Sequence, residues 1–177
     1  MAHREKNPRE RELLAKANRV LPGGSLGNPA PDIVIDRGMG SHVWDVSGNE
    51  YIDYLLGSGP MLVGHSHPEV MAVVADQLKR GTTFFAVNEH AILLAEEIVR
   101  AVPCAEKVRF HSSGTEAVMM ALRMSRVYTG KSRIIKFTDH FHGWSDYAAA
   151  GNENGAAGIP SETASTMITL PPHDIAA

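Results

Sequence analysis

Phe110-His111-Ser112-Ser113-Gly114-Thr115-Glu116-Ala117 is the stretch on which the reading of this chain turns. An expected strand ends, two hydroxyl residues and a glycine make a tight turn, and a helical pattern begins. The first N–H groups of a helix lack intrahelical acceptors, and the helix dipole places partial positive charge beside them. Ser113 and Thr115 add hydroxyl donors, and Gly114 lets the backbone approach an anion closely. Such a turn can cradle a phosphate. The same residues also make an ordinary helix cap, with Glu116 in the favoured first turn, so the turn alone leaves both readings open. No GxxxxGK[ST] run is present to indicate a nucleotide P-loop, and no GxGxxG run follows a strand.

On either side of this turn the pattern alternates helix and strand. Helices are expected at 68–79, 89–101 and 115–128, and strands at 107–110, 134–137 and 167–170. The helix at 115–128 is apolar nearly all round, which predicts burial on most sides. This rhythm predicts a parallel α/β layer with right-handed crossovers. Residues 148–165, rich in Gly, Ala, Ser and Asn, read as a mobile loop. Before the layer comes a different pattern: a helix over 8–20, a Pro- and Gly-rich loop over 22–31, a strand at 33–35, and a hairpin pairing 42–45 with 50–54 through Ser47-Gly48-Asn49. Gly57-Ser58-Gly59-Pro60 breaks that pattern, so two segments are expected, 1–56 and 57–177.

A second constellation, Thr138-Asp139-His140-Phe141-His142-Gly143-Trp144, directly follows the strand expected at 134–137. In a parallel sheet the loops at the carboxyl ends of neighbouring strands share one crevice. This aromatic loop is therefore expected to face the same pocket as the Ser113–Thr115 turn. An anion site beside a stacking platform suits a flat, phosphorylated heterocycle.

Composition narrows the classes. Against 17 Lys and Arg stand 20 Asp and Glu, a formal charge of −3, so no basic surface suggests nucleic acid. No apolar run reaches the ~18 residues of a membrane span. The charged opening MAHREKNPRE is not a secretory signal, which makes a cytoplasmic protein the expectation. The lone Cys104 rules out an internal disulfide and reads as a small buried residue. His65-Ser66-His67 and His140-Phe141-His142 raise a metal-dependent hydrolase as an alternative, but Pro68 and Gly143 take both pairs out of strands.

In register, these motifs resemble the class-III aminotransferases, a family dependent on pyridoxal 5'-phosphate (PLP). Ser113-Gly114-Thr115-Glu116-Ala117 matches that family's SGTEA phosphate motif, and Phe141-His142-Gly143 is similar to its aromatic-His-Gly loop. Pro22-Gly23-Gly24, the run from Trp44 to Asp53, and Leu62-Val63-Gly64-His65-Ser66-His67-Pro68 follow in the family's order. The pattern resembles most the glutamate-1-semialdehyde aminomutase branch. The resemblance implies the N-terminal portion of a fold-type-I PLP transferase: residues 1–56 from the small domain and 57–177 from the first part of the large PLP-binding domain. It implies that Ser113, Gly114 and Thr115 hold the PLP phosphate, that Phe141 stacks on the ring, and that His142 and Gly143 shape the loop. It also implies a homodimer acting on a small amino donor and a carbonyl acceptor, with the segment 81–90 reaching toward the neighbouring site.

The departures are specific. Ser112 replaces the usual Asn, Phe141 replaces the aminomutase tyrosine, and the loop from Ser25 to Pro31 lacks the arginine suited to a substrate carboxylate. Ser58 stands where the aminomutase pocket has an aromatic, which makes it a substrate-pocket candidate. These changes favour a related transaminase over the mutase. None of the six lysines, Lys6, Lys16, Lys79, Lys107, Lys131 and Lys136, sits in the family's catalytic context. No catalytic residue is assigned, and the chain is expected to end before the catalytic lysine and the acid that pairs with the pyridinium, hence to be inactive by itself.

Overall fold

A computed structural model describes residues 4–26, 32–138, 140–152 and 155–173. Asp139, most of the arginine-free loop (27–31) and the last residues, 174–177, lie outside the described residues. The chain divides into two compact units, 1–86 and 87–177.

The first unit opens with helix α1 (Pro8–Val20). Pro8 occupies the first turn, where its missing N–H costs nothing, and the Asn7 side chain caps the helix by accepting from Glu10 N–H at 2.8 Å. A 3-10 turn over Pro22–Gly24 follows. Strands β1 (Ile35–Met39), β2 (His42–Asp45) and β3 (Glu50–Ile52) form an antiparallel sheet in the order β1-β2-β3. The sequence pattern places a strand at 33–35, but the ladder runs over Ile35–Met39. This polar segment pairs because β2 offers it an edge; a register irregularity between Ile35 and Arg37 accompanies a guanidinium lying 3.8 Å from the centre of the Trp44 ring. Helix α2 (Pro68–Leu78) ends the regular structure of this unit.

Beneath the hairpin lies a buried charge network. Glu10 is fully buried; it pairs with Arg4, accepts from Ser47 Oγ, and accepts from Val34 N–H at 3.0 Å. Arg4 Nε also lies 2.9 Å from Asp45 Oδ2, and Asp45 in turn accepts from Asn49 and from the Tyr51 hydroxyl at 2.8 Å. The network ties α1 to all that follows it in the hairpin.

The second unit holds α3 (Glu89–Ala101), capped by Asn88, then α4 (Gly114–Thr129), β4 (Ile134–Phe137), the short helices α5 (Asp146–Ala149) and α6 (Ser161–Ala164), and β5 (Met167–Leu170). β4 and β5 pair in parallel over their whole lengths, Ile134 with Met167 through Phe137 with Leu170. That is the expected α/β arrangement.

Four expectations need correction. Residues 107–110 form no strand; among the described residues no segment offers them a ladder, and a segment without a partner cannot make one. Helix α4 is not buried on most sides: Met124, Val127 and Tyr128 are exposed, because only part of its surface meets other described elements. Cys104 is exposed in the turn after α3. Residues 148–165 hold the end of α5 and the short helix α6 instead of a bare loop, and Ala148, Ala149 and Ala150 are the buried apolar residues among those described, at 2%, 4% and 2% exposure. Small alanines read as loop in sequence, yet their size is what lets this segment pack closely.

Candidate functional site

Helix α4 begins at the turn singled out by sequence. Ser113 is extended and serves as N-cap, its Oγ accepting from Glu116 N–H at 3.3 Å and donating to the Glu116 carboxylate at 3.3 Å. Ala117 N–H bonds back to Ser113 O at 3.1 Å. The amides of Gly114 and Thr115 belong to the first turn, where helix geometry provides no acceptor. A Cβ built on Gly114 would meet nothing within 4 Å, so there is open space against the backbone at this point. An anion can therefore approach two free amides and the positive end of a helix of 16 residues.

The second constellation comes to this turn. Gly143 is buried with φ +105°, and a Cβ there would lie 2.6 Å from Thr115 Oγ1 and 2.8 Å from Thr115 Cα. The next residue, Trp144, donates its backbone N–H to Thr115 Oγ1 at 3.3 Å. The hydroxyl oxygen is thus the acceptor in this contact, and its own proton remains to donate elsewhere. The Phe141 ring is 62% exposed and meets Trp144 edge-on, with centroids 5.3 Å apart. The structure thus brings Thr115, Phe141 and Gly143 into one neighbourhood. Sequence reasoning placed both segments at one crevice but missed Trp144, whose role is carried by its backbone and has no side-chain signature.

His142 lies 6.2 Å from His140, centroid to centroid, and His140 packs edge-on to Phe137 at 5.6 Å. Both histidines line a cavity of about 290 Å³ between α4 and β4, together with Val118, Leu122 and Lys136. Among the described residues no three of His, Cys, Asp and Glu gather to hold a metal ion. His65, of the other HxH pair, bonds to Asp53 Oδ2 at 2.7 Å, and this hydrogen bond holds the Asp53 carboxyl below its usual range. Ser58 belongs to the first unit, in a run of positive φ from Leu56 to Gly59, with its N–H on Leu55 O at 2.9 Å.

Of the six lysines, Lys136 is the buried one, 6% exposed; burial lowers its pKa. Its ammonium donates to Ala148 O at 2.7 Å, Ala150 O at 2.9 Å and Asn152 Oδ1 at 2.8 Å. All three N–H donors are used. A neutral amine would have only two donors and would turn its lone pair on a carbonyl oxygen, so this lysine is held as a cation and not as a nucleophile.

Comparison with known proteins fits this geometry. The family model described as aminotransferase class-III matches residues 25–175, a span that includes both constellations. The chain belongs to the class-III aminotransferase family. Among curated relatives, a glutamate-1-semialdehyde 2,1-aminomutase of Methanothermobacter thermautotrophicus is 44% identical over 171 residues, covering 90% of this chain and 40% of that protein. Among solved structures, an omega-transaminase from Sphaerobacter thermophilus superposes with a TM-score of 0.85 at 34% identity, covering 96% of this chain and 43% of that one. A transaminase with PLP bound gives a TM-score of 0.87 at 32% identity, covering 97% and 43%. The fold is therefore the N-terminal portion of a fold-type-I transferase, and the chain spans about two fifths of the length of the class-III relatives it matches.

The contact at Gly143 makes a prediction. Gly143→Ala sets a methyl against the Thr115 backbone at a φ that L-residues rarely adopt. Overpacking of this kind costs about 1–3 kcal/mol. The variant should lose thermal stability, and the Trp144 amide should exchange faster as its bond to Thr115 opens. Unchanged exchange and melting would show that the loop does not rest on Thr115.

Proposed function

We propose that this chain supplies the phosphate- and ring-binding part of a PLP-dependent aminotransferase, which moves an amino group between an amine or amino acid and a carbonyl acceptor. The observation that supports the reading is the seating of Gly143 on Thr115, which brings the loop carrying the exposed Phe141 to a helix N-terminus with open space at Gly114. The residues present suit the cofactor. The amides of Gly114 and Thr115, with the Thr115 hydroxyl proton, would hold the phosphate. Ser113 would keep the helix start in place and add a donor. Phe141 would face the ring, and His142 and Gly143 would shape the loop that carries it. When bound, PLP supplies the electron sink that lets an amino group be exchanged. No group in this chain is assigned to proton transfer, and the proposal places the amine that holds the cofactor covalently outside these 177 residues.

Within this reading residues 1–56 belong to the small domain and 57–177 to the large one. We place the protein in the cytoplasm as a homodimer; the dimer half of this reading is supported by apolar side chains such as Val73, Leu78 and Ile92 left exposed on α2 and α3. No helix among the described residues is long and apolar enough to cross a membrane. Glutamate-1-semialdehyde 2,1-aminomutase activity is the second reading, favoured by the 44% identical relative. Ser58 and the phenyl ring of Phe141 favour the transaminase, with Ser58 lining the substrate pocket.

The test is a PLP titration of the full gene product, followed by absorbance, with amine transfer and semialdehyde isomerisation assayed in parallel. PLP uptake with amine transfer is expected; metal uptake without PLP would favour the hydrolase instead. Phe141→Ala should weaken PLP binding only about two- to tenfold, since an aromatic contact contributes roughly 0.5–1.5 kcal/mol. Turnover should fall further than affinity, because the ring loses its orientation. The 177-residue chain by itself should transfer no amine.

A further inference from the structure

The chain offers an unusual lysine. Along β4, Ile135 and Phe137 are exposed while Lys136 is buried. A buried lysine ordinarily needs a carboxylate partner. Lys136 has none among its hydrogen-bond partners; its three bonds all go to one short segment, at Ala148 O, Ala150 O and Asn152 Oδ1. That segment is the C-terminal end of α5 and the turn after it. The last carbonyls of a helix lack intrahelical donors and carry partial negative charge, so a cation there satisfies both needs. The same turn holds Ala148, Ala149 and Ala150, the buried apolar residues among those described.

The loop that reaches α4 is therefore fixed at four places. It leaves β4 at Phe137, it touches Thr115 through Gly143 and the Trp144 N–H, the Tyr147 ring of α5 meets the Arg126 guanidinium of α4 at 4.1 Å, and the far end of α5 is bound to Lys136. Removing the last point would free the end of α5 from β4 and leave 140–147 held to α4 by the 3.3 Å hydrogen bond, the Gly143 contact and the Arg126–Tyr147 stacking. We propose that Lys136 is a positioning residue: it anchors 145–152 to β4 and thereby holds Phe141 and Gly143 at the α4 N-terminus in the geometry that orients the cofactor ring. It acts as a fixed cation and forms no bond to cofactor or substrate. The inference rests on the PLP reading above for its functional half, and on this chain alone for the anchor.

The test uses the full gene product with Lys136→Met, which keeps the length and apolar bulk of the side chain and removes the three donors, and with Asn152→Ala, which removes one acceptor and leaves the lysine. Three quantities are read: hydrogen exchange by mass spectrometry, PLP affinity, and visible circular dichroism per bound PLP. In Lys136→Met, amides of 144–152 should exchange at least about tenfold faster while those of 118–129 are unchanged, as local opening without global unfolding requires. PLP affinity should fall no more than roughly threefold, since the phosphate donors remain. The visible dichroism should lose at least half its amplitude, a change that a merely stabilising lysine would not produce. Asn152→Ala should show the same pattern at smaller size. If Lys136→Met does not fold, Asn152→Ala decides: faster exchange at 144–152 with weaker dichroism supports the proposal, and wild-type values overturn it. Unaltered exchange in Lys136→Met, or faster exchange with unaltered dichroism, also overturns it. Wild-type protein that takes up no PLP overturns the PLP reading and with it the positioning role, while the exchange arm still decides the anchor.

Discussion

Ser113→Asp in the full gene product should bind PLP at least about 100-fold more weakly than wild type and melt at nearly the same temperature. The two halves of this result have separate causes. Ser113 caps α4, accepting from Glu116 N–H at 3.3 Å. Aspartate is as good an N-cap as serine, and its charge suits the helix dipole; this offsets the lost bond to the Glu116 carboxylate and the like charge at i,i+3, which costs about 0.2–0.5 kcal/mol, so the fold loses little. A phosphate at the same place, however, would meet a carboxylate. Two unit charges about 4 Å apart interact by about 4 kcal/mol at an effective dielectric constant near 20, and each 1.4 kcal/mol is a factor of ten in affinity. The neutral double variant Ser113→Ala with Thr115→Val tests the same site from the other side. It removes two hydroxyls, with bonds to charged groups contributing about 1.5–3 kcal/mol each, yet leaves the Gly114 and Thr115 amides. Its affinity should fall at least roughly tenfold, less than that of the aspartate variant. Because alanine is a poor cap, this variant should also lose about 1 kcal/mol of stability, which Ser113→Asp does not. Equilibrium titration beside calorimetric melting separates the effects. Wild-type affinity in Ser113→Asp would remove the phosphate from this turn.

How much of this was legible beforehand depended on whether a signal was local. Helices α1 and α3 have the expected bounds, because Asn7-Pro8 and Asn88 announce their starts in the sequence itself. β4 and β5 were visible as short apolar runs between turn residues, and they pair as expected. The run at 107–110 has equally good local character and forms no strand, since a strand is defined by a neighbour that its own residues do not specify. The reverse holds for β1: Ile35-Asp36-Arg37-Gly38-Met39 has little strand character and pairs because β2 lies beside it. At the candidate site the side-chain chemistry of Ser113, Thr115 and Phe141 was readable, while the Trp144 amide was not. Lys136 did leave a trace. A lysine inside Ile134-Ile135-Lys136-Phe137 interrupts an apolar strand, and once buried it needs a set of acceptors; which carbonyls supply it is set by the chain's return at 148–152.

The other large effect is expected far from the candidate site. Glu10→Ala should destabilise the N-terminal unit by about 3–5 kcal/mol, the cost of removing one partner from a buried ion pair. The wild-type carboxylate is fully buried and holds Arg4, Ser47 and the Val34 N–H at once, so its loss strands three donors between α1 and the hairpin. The same network fixes the pH response. Burial pushes the Glu10 carboxyl up, but hydrogen bonds from Ser47, Arg4 and Val34 outweigh it and hold the group below its ordinary value of 4.5. Asp45 is likewise pushed up by burial and held below 3.8 by Asn49 and Tyr51. A carboxyl depressed in the folded state adds stability that is fully present above its unfolded value and is lost as pH falls through the folded one. Wild-type stability should therefore be level with respect to these two groups from neutrality down to the ordinary values of 4.5 and 3.8, then fall as each carboxylate takes up a proton. Glu10→Ala should start lower and fall less steeply, keeping only the Asp45 share of the acid response. Thermal unfolding across this range, followed by hydrogen exchange of the amides of β2 and β3, measures both the drop and the slope. A Glu10→Ala protein within 1 kcal/mol of its parent would mean that Asp45 alone neutralises Arg4, a small enough change to belong with surface substitutions and not with a broken buried pair.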